Sequence, residues 1–587
     1  MRDFVTPVSL SPHHRALSRR NHLLAWNGPL ATFLALAVAS LAGLLVARLP
    51  LLEGLLFASL LVVGGVTAIE PLIGLGAALF LGPLWAYVRA EVPQIPAQIA
   101  QFFVALALVS WLARGLARRR LRIPSSPLLV PLSVFLGAAL VSLWDAVELP
   151  VYGVPELIKW IQILLLSLLV SETLTTEAET GEASGKPQPI EGIPSRMRTD
   201  PADPRQAGSA TPVWRLSWLL GVMLMTGLFQ AGMGVWQFGL RGEGPDHFAI
   251  LGQRFYRAYG TFEQPNPYGG YLGMTLSLAI GAATGIFNEF TSKGAQLCEN
   301  KVAAIPVLQS DDLYPQRGPG AWPLPFLITG IAVAMGVALA MSWSRGAWLG
   351  FASAALAMAI ALPRKTHWGL LLVAVLVVGA WGLYTSGLLP ASIAARLTDF
   401  AQYVRFEDVR GVGINDANYA VIERLAHWQA ALEMFRHNLW TGVGFGCYEP
   451  AYARFALINW PIALGHAHNT YLTVAAETGL IGLLAYLLLW GTVLWHTWWA
   501  TRRARGLLRG VAIGLLGTWT HLSVHHLLDN LYVNNVHLHI GVLLGLLAFI
   551  IRQTDIPRGA SPSDSSRQRG ALSPLHPLQR GKITHDG

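Results

Sequence analysis

The chain has 587 residues, of which 53% are hydrophobic and only 13% charged, and its mean hydropathy is +0.45. Soluble domains carry roughly 25% charged residues, so the composition excludes an ordinary water-soluble fold. The net charge of +9 is divided into short basic clusters between apolar runs, such as Arg118 to Arg120 or Arg502, Arg503 and Arg505. That is how cytoplasmic loops are marked, and it points away from nucleic acid. Cys298 and Cys447 are too far apart and too few for a disulfide framework or a metal knot.

Apolar runs of about 20 residues, enough to cross a bilayer, recur along the whole chain. After a cytoplasmic tail (1–28), the N-terminal block (29–173) contains predicted spans near 29–49, 51–69, 71–88, 96–115, 126–146 and 154–173. Pro50 and Pro71 leave open a broken or re-entrant helix at the second and third. The first run is long and lacks a convincing cleavage site, so it is expected to be a span and not a removed signal. Residues 174–213, rich in Pro, Gly, Ser and charge, read as a cytoplasmic linker. The central block (214–388) holds spans near 214–238, 267–287, 323–342, 346–362 and 368–388, with a second linker at 289–321. A long extracytoplasmic loop (389–469) precedes spans near 470–497, 511–528 and 533–551 in the last block (470–551). A disordered cytoplasmic tail (552–587) follows. The expected fold is an all-α polytopic membrane protein with about 12–14 transmembrane helices.

With the N-terminus inside, the basic loops all fall on the cytoplasmic side. They include Arg15, Arg19 and Arg20, the run after the fourth span, Arg364 with Lys365, and Arg502 to Arg509. No internal repeat stands out, which argues against a transporter built from inverted halves. In the long loop Val421, Leu425, Trp428, Leu432 and Phe435 recur at helical spacing, with Asn415 and Asp416 available as caps. This predicts an amphipathic helix that either roofs the spans or packs on its own loop.

Three polar clusters are expected on the outer side: Arg254 to Asn266, Ser342 to Gly350, and His466 to Glu477. Arg345 sits between two apolar runs, where a charge is costly and is kept for a partner or a function. Its guanidinium suits two-pronged contact with phosphate oxygens, the alternative being an interfacial anchor. Arg257 has the same two readings. Gly346 and Gly350 fit close helix packing. His468 and His466 stand where the long loop meets a span, and a neutral imidazole there can accept a proton from an attacking hydroxyl. Zinc is the competing chemistry, weakened by the lack of a nearby third ligand. Glu477, about two turns into the span, is available to orient a donor or pair with an arginine. His521, His525, His526 and Asp529 are read as lining the interface in preference to supporting the site. No Asp-x-Asp occurs, so phosphate neutralisation falls to arginine instead of a divalent metal.

These residues resemble the O-antigen ligase and polymerase superfamily of bacterial envelope glycan enzymes. The likeness rests on His468-Asn469 followed by Gly479 and Gly482, on Ser342-Trp-Ser-Arg-Gly-Ala-Trp-Leu-Gly350, and on the Arg257-x-x-Gly-Thr-Phe element ending in Pro-Asn-Pro. Arg424 and Trp428, with Gly442, Gly444 and Gly446, resemble the loop that precedes the family's histidine. The likeness covers roughly 210–550. It implies a GT-C-like helical fold and a metal-independent, cofactor-free, inverting transfer at the outer face of the inner membrane. The implied donor is a glycan on undecaprenyl pyrophosphate, and the acceptor a glycolipid, another glycan or a protein hydroxyl. By carry-over His468 is the general base, and Arg345 and Arg257 bind the pyrophosphate. Asn469, His466, Arg424 and Glu477 complete the expected substrate-binding set. A lipid-linked glycan flippase is the rival from another class.

Overall fold

The computed structural model describes residues 51–91, 98–117, 119, 124–184, 213–303, 323–388, 390–398, 408–415 and 418–555. The span expected near 29–49, both termini and most of the two linkers lie outside these residues. Every expected span that falls on described residues is helical. Before the long loop come α1 (Leu51–Ile69), α2 (Pro71–Leu81), α3 (Trp85–Glu91), α4 (Ile99–Ala117), α5 (Leu129–Ser142) and α6 (Val154–Ser184). They are followed by α7 (Val213–Val235), α8 (Pro265–Ala303), α9 (Pro323–Met341), α10 (Arg345–Ala361) and α11 (Thr366–Thr385). The loop carries α12 (Ala391–Thr398), α13 (Tyr419–His437) and α14 (Tyr448–Tyr452). Three helices close the bundle: α15 (Thr470–Arg503), α16 (Gly506–His525) and α17 (Val536–Asp555). The described sheet is one antiparallel ladder between β1 (Ala249–Ile250) and β2 (Phe255–Tyr256). Among the described residues, ten helical stretches are long and apolar enough to cross a membrane, and three shorter apolar helices accompany them. This is an all-α polytopic membrane protein.

Two boundaries differ from expectation. The break expected near Pro71 is present, with Glu70 extended (φ −134°, ψ 98°) and Pro71 opening α2, but a second, unexpected one falls at Gly82–Leu84, a single 3₁₀ turn between α2 and α3, where Pro83 has no N–H to give the ladder. Meanwhile α6 and α8 run on to Ser184 and Ala303. Ala, Glu, Gln and Lys follow their apolar runs, and these side chains favour a continued helix regardless of hydropathy.

Small residues set the centre of the bundle. A Cβ at Gly281 of α8 would stand 2.4 Å from the backbone nitrogen of Gly514, and one at Gly510 2.4 Å from the carbonyl oxygen of Gly281. The two backbones touch, as small-residue interfaces allow in lipid. Helix α17 is the most enclosed, with 89% of its apolar window buried, whereas α11 is peripheral with 6%. The basic ends converge. Arg364 donates to the carbonyls of Arg502 and Ala504, Arg503 pairs with Asp555, and Glu289, where the apolar stretch of α8 ends, accepts from the Leu507 N–H. The Arg345, His468 and Asp529 ends of α10, α15 and the α16–α17 loop therefore share the opposite side.

The predicted loop helix exists as α13, but its buried face is not the expected stripe of large residues. Ile422, Leu425, Ala426, Ala430, Ala431 and Met434 face inward, while Leu432 is exposed. Alanines allow α13 to approach α14 and α15 closely, so packing distance overrides side-chain size. Its N-cap is Asn418, and Asn415 instead accepts the Asn418 N–H.

Candidate functional site

The turn between α9 and α10 is the platform of the site. Trp343 takes a positive φ of 54°, and Ser344 caps α10 by accepting the Ala347 N–H at 3.4 Å. Arg345 is then the first helical residue. A cation at a helix N-terminus opposes the macrodipole, so helix stability does not explain its presence. Its Nε donates to the Arg396 carbonyl at 2.9 Å, and an Nη of Arg396 donates to the Trp343 carbonyl at 3.1 Å. This pair clips α12 onto the turn. Arg257, two residues beyond β2's first position, donates to the Ser342 carbonyl and to Asn266 Oδ1, both at 3.1 Å. Burial, followed by the charges of Arg396, Arg424 and Arg345, presses the Arg257 guanidinium down to about 9. Four arginines thus crowd one region, and Asp529 is the carboxylate that offsets them at Arg257.

His468 and His466 lie beside this cluster, with their rings 4.6 Å apart and edge to face. His468 has a positive φ of 53°, a strained backbone that non-glycine residues adopt where the surroundings impose it. Its N–H donates to His466 Nδ1 at 3.0 Å. Asp529, in the α16–α17 loop, places Oδ1 3.4 Å from His468 Nδ1 and 3.9 Å from His466 Nε2. Burial pushes the Asp529 carboxyl up, but the adjoining His468 and the charges of His466 and His525 outweigh it and hold it well below the carboxylate range. Burial lowers His466 to about 4, leaving that imidazole neutral. His427 on α13 closes the other side, its ring centroid 6.1 Å from that of His468. Burial and the charge of His468 take His427 to about 4 as well.

A break in α15 anchors the loop that leads to these histidines. Gly479 has φ 64° and ψ −162° inside the helix, which frees backbone groups that hydrocarbon cannot satisfy. Residues 439–444 satisfy them. Val443 and Gly444 donate to the Ala476 and Glu477 carbonyls at 2.9 and 3.0 Å, and Leu480 donates to the Leu439 carbonyl at 2.7 Å. A Cβ at Gly479 would stand 2.3 Å from the Trp440 carbonyl carbon, and one at Gly442 2.3 Å from that of Glu477. Gly479 therefore serves a backbone seam, whereas a Cβ at Gly482 would meet the Thr478 side chain of its own helix.

Two residues of the expected substrate-binding set have local duties. Asn469 caps α15 by accepting the Leu472 N–H at 3.1 Å. Glu477 is buried and accepts the Tyr448 N–H at 3.2 Å, so the pairing with an arginine expected from the sequence does not form; the loop backbone occupies its carboxylate. Gly346 and Gly350 do serve packing, since they make room for His525 and His521 of α16. Asp529 corrects the reading of its region as interface lining, because the α16–α17 loop folds back over the histidines. Arg396 is one of several arginines in the outer loop, and nothing in its sequence surroundings sets it apart from the others.

Asp529 also supplies the third ligand that the sequence did not reveal. One atom each from His466, His468 and Asp529 lies within 4.8 Å of the others, a spacing a metal would accept. The hydrogen bonding disfavours one. A metal-bound imidazole donates its second N–H outward, but His466 Nδ1 is an acceptor from a backbone N–H. The ring proton therefore sits on Nε2, the atom that would have to ligate.

The fold and site together define a polytopic membrane protein with a cluster of arginines, histidines and one carboxylate at one end of its bundle. Residues 330–487 match the family model described as O-antigen ligase. The matched stretch contains Arg345, Arg396, Arg424, His466 and His468, while Arg257 and Asp529 lie outside it. Among curated proteins, none matches the chain significantly.

Proposed function

We propose that this protein transfers a glycan from a polyprenyl-pyrophosphate carrier to an acceptor hydroxyl at the outer face of the bacterial inner membrane. The observation that carries this reading is the meeting of His468 with Arg257, Arg345, Arg396 and Arg424 at one end of the bundle. Guanidinium groups fixed before substrate arrives can hold a diphosphate and stabilise the charge that grows on it as it leaves. His468 removes the proton of the attacking hydroxyl, and attack opposite the leaving group inverts the anomeric centre. The hydrogen bonding of His466 favours metal-free chemistry, and crowded arginines take the place of a divalent ion. A flippase would need its polar groups near the bilayer midplane, and these lie at helix ends.

Purified protein with a lipid-linked donor and a hydroxyl acceptor tests the reading. His468→Ala is expected to abolish product while donor binding persists. Full turnover by that variant would refute the base assignment.

A further inference from the structure

We infer that Asp529 is a positioning residue for His468, fixing its Nδ1–H so that Nε2 is the atom presented to the acceptor. The inference rests on the transfer reading above and extends it to a carboxylate 61 residues further along the chain, outside the family-matched stretch.

The loop that carries Asp529 is built to hold that carboxylate still. The Asp529 N–H donates to the His525 carbonyl at 3.0 Å, and Oδ1 accepts the Asn530 N–H at 2.8 Å. Two bonds sew this loop to the histidine segment: Thr470 Oγ1 donates to the Asp529 carbonyl at 3.1 Å, and the Thr470 N–H to the His526 carbonyl at 2.8 Å. Thr470 is two residues from His468, so the carboxylate and the imidazole are tied through a few rigid bonds. Among the described residues, the imidazoles within 4 Å of the Asp529 carboxylate are those of His466 and His468 alone. The arginines influence it only from further off.

The tautomers follow from the one unambiguous donor. The His468 N–H occupies His466 Nδ1, so His466 turns Nε2–H toward Asp529. His468 Nδ1 makes no hydrogen bond elsewhere and faces the same oxygen at 3.4 Å, close enough for a small rotation to complete one, and an ionised carboxylate can only accept. That assigns the His468 proton to Nδ1 and leaves Nε2 with its lone pair. In the reaction, the acceptor oxygen bonds to the anomeric carbon while its proton moves to His468 Nε2. The bond from the anomeric carbon to the phosphate oxygen breaks, and its electron pair leaves with the pyrophosphate. Asp529 then faces an imidazolium through Nδ1–H, and the proton afterwards passes from Nε2 to solvent or to the departing pyrophosphate.

The test uses the full-length protein with ¹⁵N-labelled histidine, the His468 signal being assigned by its loss in His468→Gln. Wild type is expected to show the Nδ1–H tautomer at His468, and Asp529→Asn a mixed or reversed one. An unchanged His468 signal in Asp529→Asn overturns the inference. This readout needs no substrate, so it stands apart from the question of whether the protein transfers glycans. With a lipid-linked donor, Asp529→Asn is expected to lower kcat by about 10²-fold with donor KM within about twofold, and Asp529→Glu to recover part of the loss. An equal loss of donor binding would place Asp529 at the anion site and overturn the inference, as would stoichiometric zinc in the wild type that is absent from Asp529→Asn.

Discussion

Arginines gather at both ends of this bundle, and they do opposite things. At the basic-loop end, Arg509 donates to the Thr501, Ala361 and Leu362 carbonyls at 3.0, 3.1 and 2.7 Å. Arg502 donates to the Pro363 carbonyl at 2.7 Å and the Ile360 carbonyl at 3.3 Å. These are the last carbonyls of α10 and α15, where the helix dipole welcomes a cation and orphan acceptors need donors. At the other end, Arg345 begins a helix whose dipole repels it, and Arg257 is surrounded by three more arginines. The first group closes a structure. The second gathers like charges around a turn.

The largest effect is expected from Arg345→Lys, which keeps the charge but loses the fork. Transfer should fall about 10²-fold with the melting temperature unchanged, and a normal rate would make the fork irrelevant. Next, Arg509→Ala should cost about 1.5–3 kcal/mol of stability, read as a lower melting temperature in detergent, with transfer per folded molecule preserved. If Arg257→Gln destabilised the protein as much, the two ends would not differ. Inorganic pyrophosphate at ten times its Kd should stabilise the wild type by about 1.4 kcal/mol and the Arg257→Gln variant by less; an equal shift in both would remove the anion site. The smallest expected effect is that of a chelator, which should leave transfer unchanged, whereas loss restored by added zinc would favour the His466, His468 and Asp529 trio as a metal centre.

The spans were legible because a bilayer imposes one length and one polarity on every crossing segment, and that pattern is local. Arg345 and His468 were legible for the related reason that a polar group at a span boundary is conspicuous against its neighbours. What the sequence hid was pairing. Asp529 meets His468 only because α16 and α17 return to the N-terminus of α15, and no periodicity encodes that return. Arg396 reaches the Trp343 carbonyl because α11 and α12 bring it back to the turn where α10 begins. Glu477 looked free for an arginine, but a loop from 30 residues upstream had already taken it. The inward face of α13 was misjudged because a hydrophobic stripe records side-chain size, while Ala426, Ala430 and Ala431 record proximity.

The seam at Gly479 has a practical consequence for anyone exchanging outer segments between relatives to alter acceptor choice. Residues 439–444 and 476–481 complete each other's backbone hydrogen bonds, so neither can travel alone. A graft with one junction between them would leave peptide groups bare in hydrocarbon. Crossover points belong before Leu439 or after Gly482, with everything between inherited as a single cassette.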